Sequence, residues 1–174
     1  MRARPWRISD ADAAFAIYSD WEVARWLGST PRAVENLEEI DAFLTRVMSR
    51  QDPPGHGFWA VETHDGDLVG AVLLAPLPGS DDVEVGWHLA RAEWGKGYAT
   101  EIATAALDHG FDEVGLAQVI AVVYPGNVRS LAVVQRLGME PQGRSDRYYG
   151  VELEVFALDR RAWSARTAGK GRDS

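Results

Sequence analysis

Hydrophobic and polar positions alternate along this chain with two different periods, and each change of period marks a change of secondary structure. The longest helical stripe in the first third of the chain consists of Val34, Leu37, Ile40, Leu44 and Val47. Their spacing of three or four predicts an amphipathic helix. Because Thr30–Pro31 offers a proline for the first turn, we expect this helix to begin there and to end before the QDPPGHG stretch.

The segment before this helix predicts a short strand followed by further helix. Residues near Arg2–Arg4 are expected to form the strand. Ser9 and Asp10 are suitable N-caps for a helix through about Tyr18, with more helix expected as far as Trp26.

The middle of the chain changes to the patterns of strands. FWAVET (58–63) and DLVGAVLLAPL (67–77) flank a His-Asp-Gly turn, which predicts a hairpin. VEVGWHLA (83–90) alternates as far as Gly86, where we expect a bulge or a close backbone approach. LAQVIAVVY (116–124) is almost continuously apolar, so we expect a central strand that is covered on both faces.

Helical periods return on either side of that central strand. One amphipathic helix is expected over 97–113, and Asn127 is expected to cap another through Leu137, with Gly138 as the left-handed residue after it. Strands near 139–147 and 151–158 complete the pattern. The order of elements predicts a single α/β domain over residues 1–166, a mixed sheet with helices on its faces, and a loose tail over 167–174.

Composition narrows the classes of function. The net charge of −8 argues against broad nucleic-acid binding, which needs a basic face. No apolar run is long enough to span a membrane, and the N-terminus lacks the pattern of a signal peptide. Cysteine is absent, which excludes disulfides and thiolate chemistry. We therefore expect a cytoplasmic protein. The four histidines show no spacing typical of metal ligands, so no metal is predicted.

The stretch WGKGYATE (94–101) is the first candidate for binding chemistry. Gly95 and Gly97 precede a predicted helix, and backbone N–H groups at such a helix start attract anions. A Walker A loop is excluded because residues 90 and 97 are Ala and Gly, where that motif needs Gly and then Ser or Thr. A dinucleotide-binding fingerprint lacks its third small residue and its acidic residue. A phosphate cradle and an ordinary tight turn remain as alternatives.

Three further motifs accompany this loop. The strand EVGWHL lies upstream, and NVRSLAVVQRLGM (127–139) and RYYGVELEVFAL follow downstream. With these motifs in this order, nearly the whole chain resembles a GNAT-superfamily N-acetyltransferase, of the branch that includes the ribosomal-protein N-terminal acetyltransferases (RimJ/RimL-like). The resemblance implies a mostly antiparallel, twisted sheet with a V-shaped splay between the strands near 83–90 and 116–124.

The resemblance also implies acetyl-CoA as the acetyl donor. The splay would admit pantetheine as a surrogate strand. The implied cofactor-binding residues are His88 and Leu89 through their main chain, Gly95, Lys96, Gly97, Tyr98, Ala99 and Thr100 around the pyrophosphate, and Asn127 at the pantetheine arm. Trp94 departs from the Arg or Gln that often precedes the first glycine.

The implied reaction is the direct attack of a primary amine on the thioester. Glu84 is the expected general base, directly or through a water molecule, with Asp82 as a weaker second choice. The tyrosine acid common in the superfamily is replaced by Val134, so Ser130 is the expected hydrogen-bond donor to sulfur. This replacement leaves a catalytically weak acyl-CoA sensor as the alternative.

The acceptor is a protein N-terminus or a small-molecule amine, and the sequence does not choose between them. Trp21, Trp26 and Tyr149, with Tyr148, are expected to line its pocket through cation–π contacts, although core packing is the favoured role for each of them taken singly. A homodimer is compatible with the resemblance. Neither the identity of the amine nor the preferred acyl group follows from the sequence.

Overall fold

The computed structural model describes the backbone of residues 1–170 and the side chains of residues 1–168. Seven strands form one sheet in the order β1-β2-β3-β4-β5-β7-β6. The strands are β1 (Arg2–Arg4), β2 (Gly57–Glu62), β3 (Leu68–Pro76), β4 (Val83–Leu89), β5 (Gln118–Val123), β6 (Glu140–Ser145) and β7 (Leu153–Asp159). The helices are α1 (Ala11–Tyr18), α2 (Trp21–Ala24), α3 (Leu37–Met48), α4 (Tyr98–Asp108), α5 (Val128–Leu137) and α6 (Arg160–Lys170).

The sheet is antiparallel at every junction except the one between β4 and β5. These two strands run parallel and are in register at a single pair, Glu84 and Ile120. Since β4 continues to Leu89 without a further β5 partner among the described residues, the strands separate beyond Glu84. The mixed α/β fold and the splay expected from the sequence are confirmed.

Helices cover both faces of the sheet because neighbouring strand residues point to opposite sides. Val61 and Val72 pack with α4, α5 and α6, in a core that includes Leu107, Phe111 and Trp163. Ala60 and Ala71, one position away, pack with α1 and α3. The sheet is thus buried on both faces at β2 and β3.

The segment before α3 differs from its prediction. Residues 31–36 are irregular, and α3 begins at Leu37 with the Asn36 side chain accepting a hydrogen bond from the Glu39 N–H. Val34, expected in the helical stripe, instead donates its N–H to the Tyr18 carbonyl at 3.0 Å. The prediction that this helix starts at Thr30–Pro31 was wrong. Asn36 supplies a side-chain cap, and the segment before it bonds to α1 instead.

Three other features of the prediction differ. The first helix ends at Tyr18, as expected, but the further helix, α2, ends at Ala24 and does not reach Trp26; its cap is Asp20, whose side chain accepts from the Glu22 N–H. The ladder of β3 and β4 runs without a shift through Gly86, so no bulge occurs there. A C-terminal helix, α6, was not predicted; it overlaps the first part of the expected 167–174 tail, and 171–174 lie outside the described residues.

None of the helices within residues 1–170 has the length and apolar content to cross a membrane.

Candidate functional site

A cleft of about 600 Å³ opens where β4 and β5 separate. Its walls are the end of β4, the loop before α4, the first turn of α4, one side of α5 and the segment 23–27. The residues that line it include Trp87, His88, Leu89, Glu93, Trp94, Gly95, Gly97, Tyr98, Ala99, Thr100, Asn127, Arg129, Ser130 and Arg136. Most of the residues expected to hold the cofactor therefore surround one space.

The glycine loop presents bare backbone to this cleft. Gly95 and Gly97 have φ values of 81° and 86°, in the left-handed region that favours glycine. A Cβ at either position would meet no atom of the described residues within 4 Å, so the space beside the loop is open. Gly97 is the N-cap of α4, and the first N–H groups of a helix have no partner within the helix. This geometry fits a pyrophosphate group.

The basic side chains at the cleft differ from the one expected. Lys96 does not line it; the Nζ atom lies 3.0 Å from a carboxylate oxygen of Glu93. Arg129 and Arg136 line the cleft instead, and the Arg129 guanidinium stacks on the Trp94 ring at 4.6 Å. Neither arginine was predicted from the sequence as a cleft residue. Their separation of two helical turns on α5 does indicate that they share a face of the helix.

Trp94 also contacts the strand on which pantetheine was expected to pair. Its Nε1–H donates to the Leu89 carbonyl at 3.0 Å. One acceptor site of that carbonyl is thus engaged by the indole. Through this hydrogen bond, Trp94 connects the glycine loop to β4.

A second, smaller cavity of about 240 Å³ adjoins the cleft. The residues that line both spaces are Trp26, Leu27, Trp87, His88, Asn127 and Ser130. Glu84 and Tyr149 belong to the smaller cavity alone. The structure therefore places the two expected catalytic residues, Glu84 and Ser130, on the walls of one cavity that communicates with the glycine-loop cleft.

Glu84 is a buried carboxylate, 8% exposed. The Tyr149 hydroxyl donates to its Oε2 at 2.6 Å. Burial raises the pKa of Glu84 to about 7, and the hydrogen bond from Tyr149 acts in the opposite direction. Burial and the nearby carboxylate raise the pKa of Tyr149, so the hydroxyl keeps its proton and remains a donor. Near neutral pH, Glu84 is therefore poised to accept a proton.

His88 lies between the two cavities but faces aromatic neighbours. Its Nδ1 is 3.2 Å from the Tyr18 hydroxyl, and its ring packs edge-on against the rings of Tyr18 and Phe58. Burial lowers the pKa of His88 to about 4, so the imidazole is neutral at physiological pH. It contributes no positive charge to either cavity.

Asn127 and Ser130 are held together at the start of α5. The Asn127 Oδ1 accepts from the Ser130 N–H at 3.2 Å, which confirms Asn127 as the N-cap of the helix. Val134, one turn further, is completely buried and presents no hydroxyl.

Tyr124 is a further cavity residue that was not predicted from the sequence. It directly follows β5 and lines the smaller cavity. Its hydroxyl donates to the Gly28 carbonyl at 2.6 Å.

The aromatic residues predicted for the acceptor pocket fall into two groups. Trp26 and Tyr149 line the smaller cavity. Trp21 does not, because α2 turns Val23 and Ala24 toward the core and leaves Trp21 52% exposed. Tyr148 is buried and donates to Asp82 at 3.0 Å.

Asp82, the second-choice base, also lies outside both cavities. Its carboxylate accepts hydrogen bonds from Ser80 and Tyr148, which lower its pKa. A carboxylate that already has these partners and a low pKa is a poor proton acceptor.

Among the residues that the structure describes, no group of three or more His, Asp or Glu is arranged to hold a metal ion.

The family model that matches this chain and two of its relatives are described as acetyltransferases. The family model described as an acetyltransferase (GNAT) domain matches residues 1–140. A probable N-acetyltransferase of Bacillus subtilis, YjcK, is 34% identical and covers 80% of each chain. The putative ribosomal N-acetyltransferase YdaF of the same organism is 27% identical and covers 87% of this chain and 85% of its own.

Solved structures share the fold. An acetyltransferase of the GNAT family from Bacillus anthracis superposes with a TM-score of 0.75 at 25% identity, covering 91% of this chain and 94% of its own. The spermidine N-acetyltransferase of Vibrio cholerae, solved in complex with CoA and spermine, gives a TM-score of 0.75 at 15% identity, covering 93% and 96%.

Proposed function

Because the chain belongs to the GNAT family of acetyltransferases, we propose that it transfers the acetyl group of acetyl-CoA to the nitrogen of a primary amine. One observation carries this proposal: a cleft beside an open glycine loop joins a cavity that contains a buried carboxylate with a pKa near 7. The first feature suits a pyrophosphate-bearing donor, and the second suits removal of a proton from an amine.

The donor is assigned to the larger cleft. Backbone N–H groups from Gly95 to Thr100 would hold the pyrophosphate, and Arg129 and Arg136 lie where they would add positive charge. When bound, acetyl-CoA supplies a thioester, whose acetyl group is the part transferred. The complex of the Vibrio cholerae spermidine N-acetyltransferase with CoA supports this choice of donor.

Glu84 is the proposed general base. An alkylammonium has a pKa near 10.4 and must lose a proton before its nitrogen can form a bond. The Glu84 carboxylate takes that proton, directly or through a water molecule, and Tyr149 holds the carboxylate in place through its hydrogen bond. As the new N–C bond forms and the C–S bond breaks, the nitrogen loses its second proton, which the departing CoA sulfur takes up to leave as the thiol. The Ser130 hydroxyl would donate a hydrogen bond to that sulfur.

The experiment that tests this function is a thiol-release assay with acetyl-CoA and a panel of primary amines, which includes peptides with free N-termini. We expect amine-dependent release of CoA and a product heavier by one acetyl group in mass spectrometry. Tight binding of acetyl-CoA without amine-dependent release would instead favour the alternative of an acyl-CoA sensor, which the valine at position 134 suggests.

Two finer assignments accompany the proposal. Similarity to the putative ribosomal N-acetyltransferase YdaF supports placement in the RimJ/RimL-like branch, in which a protein N-terminus is one candidate acceptor. We also propose a cytoplasmic location, where acetyl-CoA is available, and a homodimer as the state to test by sedimentation.

A further inference from the structure

The smaller cavity carries a single formal charge. Within residues 1–170, its lining contains one carboxylate, that of Glu84, and neither lysine nor arginine. His88, the remaining titratable nitrogen on the wall, is neutral because burial keeps its pKa low. Any further charge on a bound molecule would therefore lie in this cavity without a charged partner.

The remaining walls are mainly aromatic and aliphatic, and the polar residues His88, Asn127 and Ser130 lie on the side shared with the larger cleft. The lining side chains that carry no charge are Trp26, Leu27, Leu73, Val85, Trp87, Val122, Tyr124, Tyr149 and Leu153, among others. Both tyrosine hydroxyls of this lining already make hydrogen bonds. Tyr124 donates to the Gly28 carbonyl, and Tyr149 donates to Glu84. The volume of about 240 Å³ is below the roughly 300–1,000 Å³ of pockets for drug-sized ligands, so the occupant is small.

From this juxtaposition of one carboxylate with apolar walls, we infer that the acceptor is a small monoamine with an apolar or aromatic body. The inference rests on the proposed function and names the substrate class of the same site. The ammonium group pairs with Glu84, and the hydrocarbon part packs between Trp26, Tyr124 and Leu153. Polyamines, free amino acids and charged peptides are the classes that this cavity disfavours.

The physical reason is the cost of burying an unpaired charge. A second ammonium on a diamine would find no carboxylate in the lining, and the carboxylate of an amino acid would find no cation and would be repelled by Glu84. The apolar body of a monoamine loses water on entering the cavity, which favours binding.

Matched pairs of amines test the inference in the thiol-release assay at saturating acetyl-CoA. Hexylamine and 1,6-diaminohexane differ in one terminal ammonium, and 2-phenylethylamine and phenylalanine differ in one carboxylate. We expect kcat/KM to be about tenfold or more higher for the monoamine in each pair, because the other member buries an unpaired charge. Equal or higher values for the diamine, or for a peptide with a free N-terminus, would overturn the inference.

A change of cavity charge provides a gain-of-function test. Gly28 lines the cavity, is exposed, has a φ of 68°, and has no protein atom within 4 Å of a Cβ position. Asp and Asn tolerate this conformation better than other side chains. In Gly28→Asp, the ratio of kcat/KM for the diamine to that for hexylamine should rise about two- to fivefold, the range of an exposed ion pair.

Gly28→Asn is the matched control, since it has the same shape without the charge. An equal rise in both variants would show that shape, not charge, excludes the diamine, which overturns the inference. If no amine in any arm releases CoA although acetyl-CoA binds, the proposed function itself fails, and that outcome is distinct from a reversed preference among amines.

Discussion

The pKa values of two buried strand carboxylates, Glu62 and Glu84, are shifted in opposite directions because their neighbours differ. Glu62 accepts hydrogen bonds from Arg4 and Arg2, which lower its pKa. Glu84 is also buried, but its hydrogen-bond partner among the residues that the structure describes is the neutral Tyr149 hydroxyl, so burial raises its pKa. A carboxylate left without a cation in a cavity is unfavourable for folding and suited to proton transfer.

Replacement of this carboxylate tests its role as base. Glu84→Gln should lower kcat/KM by about 10²–10⁴, the usual contribution of general base catalysis. In the wild type, kcat/KM should rise with pH through about 7 as Glu84 ionises, and this limb should be absent from the variant. A pH–rate profile of the same shape in both proteins would remove Glu84 from the mechanism.

Tyr149 is expected to act through Glu84 as a positioning residue. Its hydrogen bond lowers the pKa of the carboxylate, so Tyr149→Phe should move the acid limb of the pH–rate profile to higher pH. Tyr148→Phe is the control, because that hydroxyl donates to Asp82 instead. A lower rate in Tyr149→Phe with an unmoved limb would indicate a merely structural role.

Removal of the Ser130 hydroxyl tests whether this group assists the departure of the CoA sulfur. Its N–H is already bound by Asn127, so removal of the hydroxyl should leave the helix cap intact. We expect Ser130→Ala to reduce kcat by about tenfold, the effect of one hydrogen bond, with little change in the Kd for acetyl-CoA. Wild-type turnover in Ser130→Ala would argue against the hydrogen bond to sulfur.

The glycine loop and α4 act as one unit, in which the loop conformation exposes the first turn of the helix. Gly97→Glu should reduce acetyl-CoA affinity by more than about 100-fold, because it places a side chain and a like charge where the pyrophosphate is expected. Isothermal titration calorimetry measures the affinity, and circular dichroism checks the fold.

Gly66→Glu is a matched control for this variant. Gly66 also has a positive φ, 93°, and free space around its Cβ position, but it lies in the turn between β2 and β3. It therefore carries the same backbone strain and the same added charge away from the cleft. Equal affinities in Gly97→Glu and Gly66→Glu would show that the loop is not the cradle.

Elements with strong local signals were predicted well, and those defined by distant contacts were not. The hairpin of β2 and β3 and the cap at Asn127 depend on adjacent residues, and both are confirmed. The segment before α3 is fixed by Val34 bonding to Tyr18, and α6 is anchored by Trp163, whose indole donates to Asp108 at 2.8 Å. Neither contact can be inferred from local periodicity.

The stability of the whole protein should depend on the charge of Glu84. Its pKa rises from 4.5 in an unfolded chain to about 7 in the fold. The neutral form is thus favoured by folding, and this contribution is complete below pH 4.5 and is lost as the pH rises through about 7. The shift corresponds to about 3 kcal/mol.

We therefore expect Glu84→Gln to gain stability relative to the wild type as the pH is raised from 5 to 8. The difference in free energy of unfolding between the two proteins should change by up to about 3 kcal/mol over this range, because groups common to both cancel. Urea unfolding at several pH values measures it. A difference that does not vary with pH would contradict the raised pKa.

The assembled sheet brings the site together. Parallel pairing of β4 with β5 at one position separates the rest of the two strands, and the glycine loop, α5 and the Trp26–Gly28 segment surround the resulting space. Each of these parts comes from a different region of the chain. The cleft is therefore a property of the topology and not of any one motif.

The sequence by itself determined the parts that depend on neighbouring residues: the glycine loop, the Asn127 cap, the strand patterns and the family that their order indicates. Only the tertiary structure decided which side chains meet. It joined Tyr149 to Glu84 across 65 positions, stacked Arg129 on Trp94, and left Trp21 in solvent. The physical reason is that a pKa and a cavity depend on burial and on contacts between distant segments, which residue spacing does not encode.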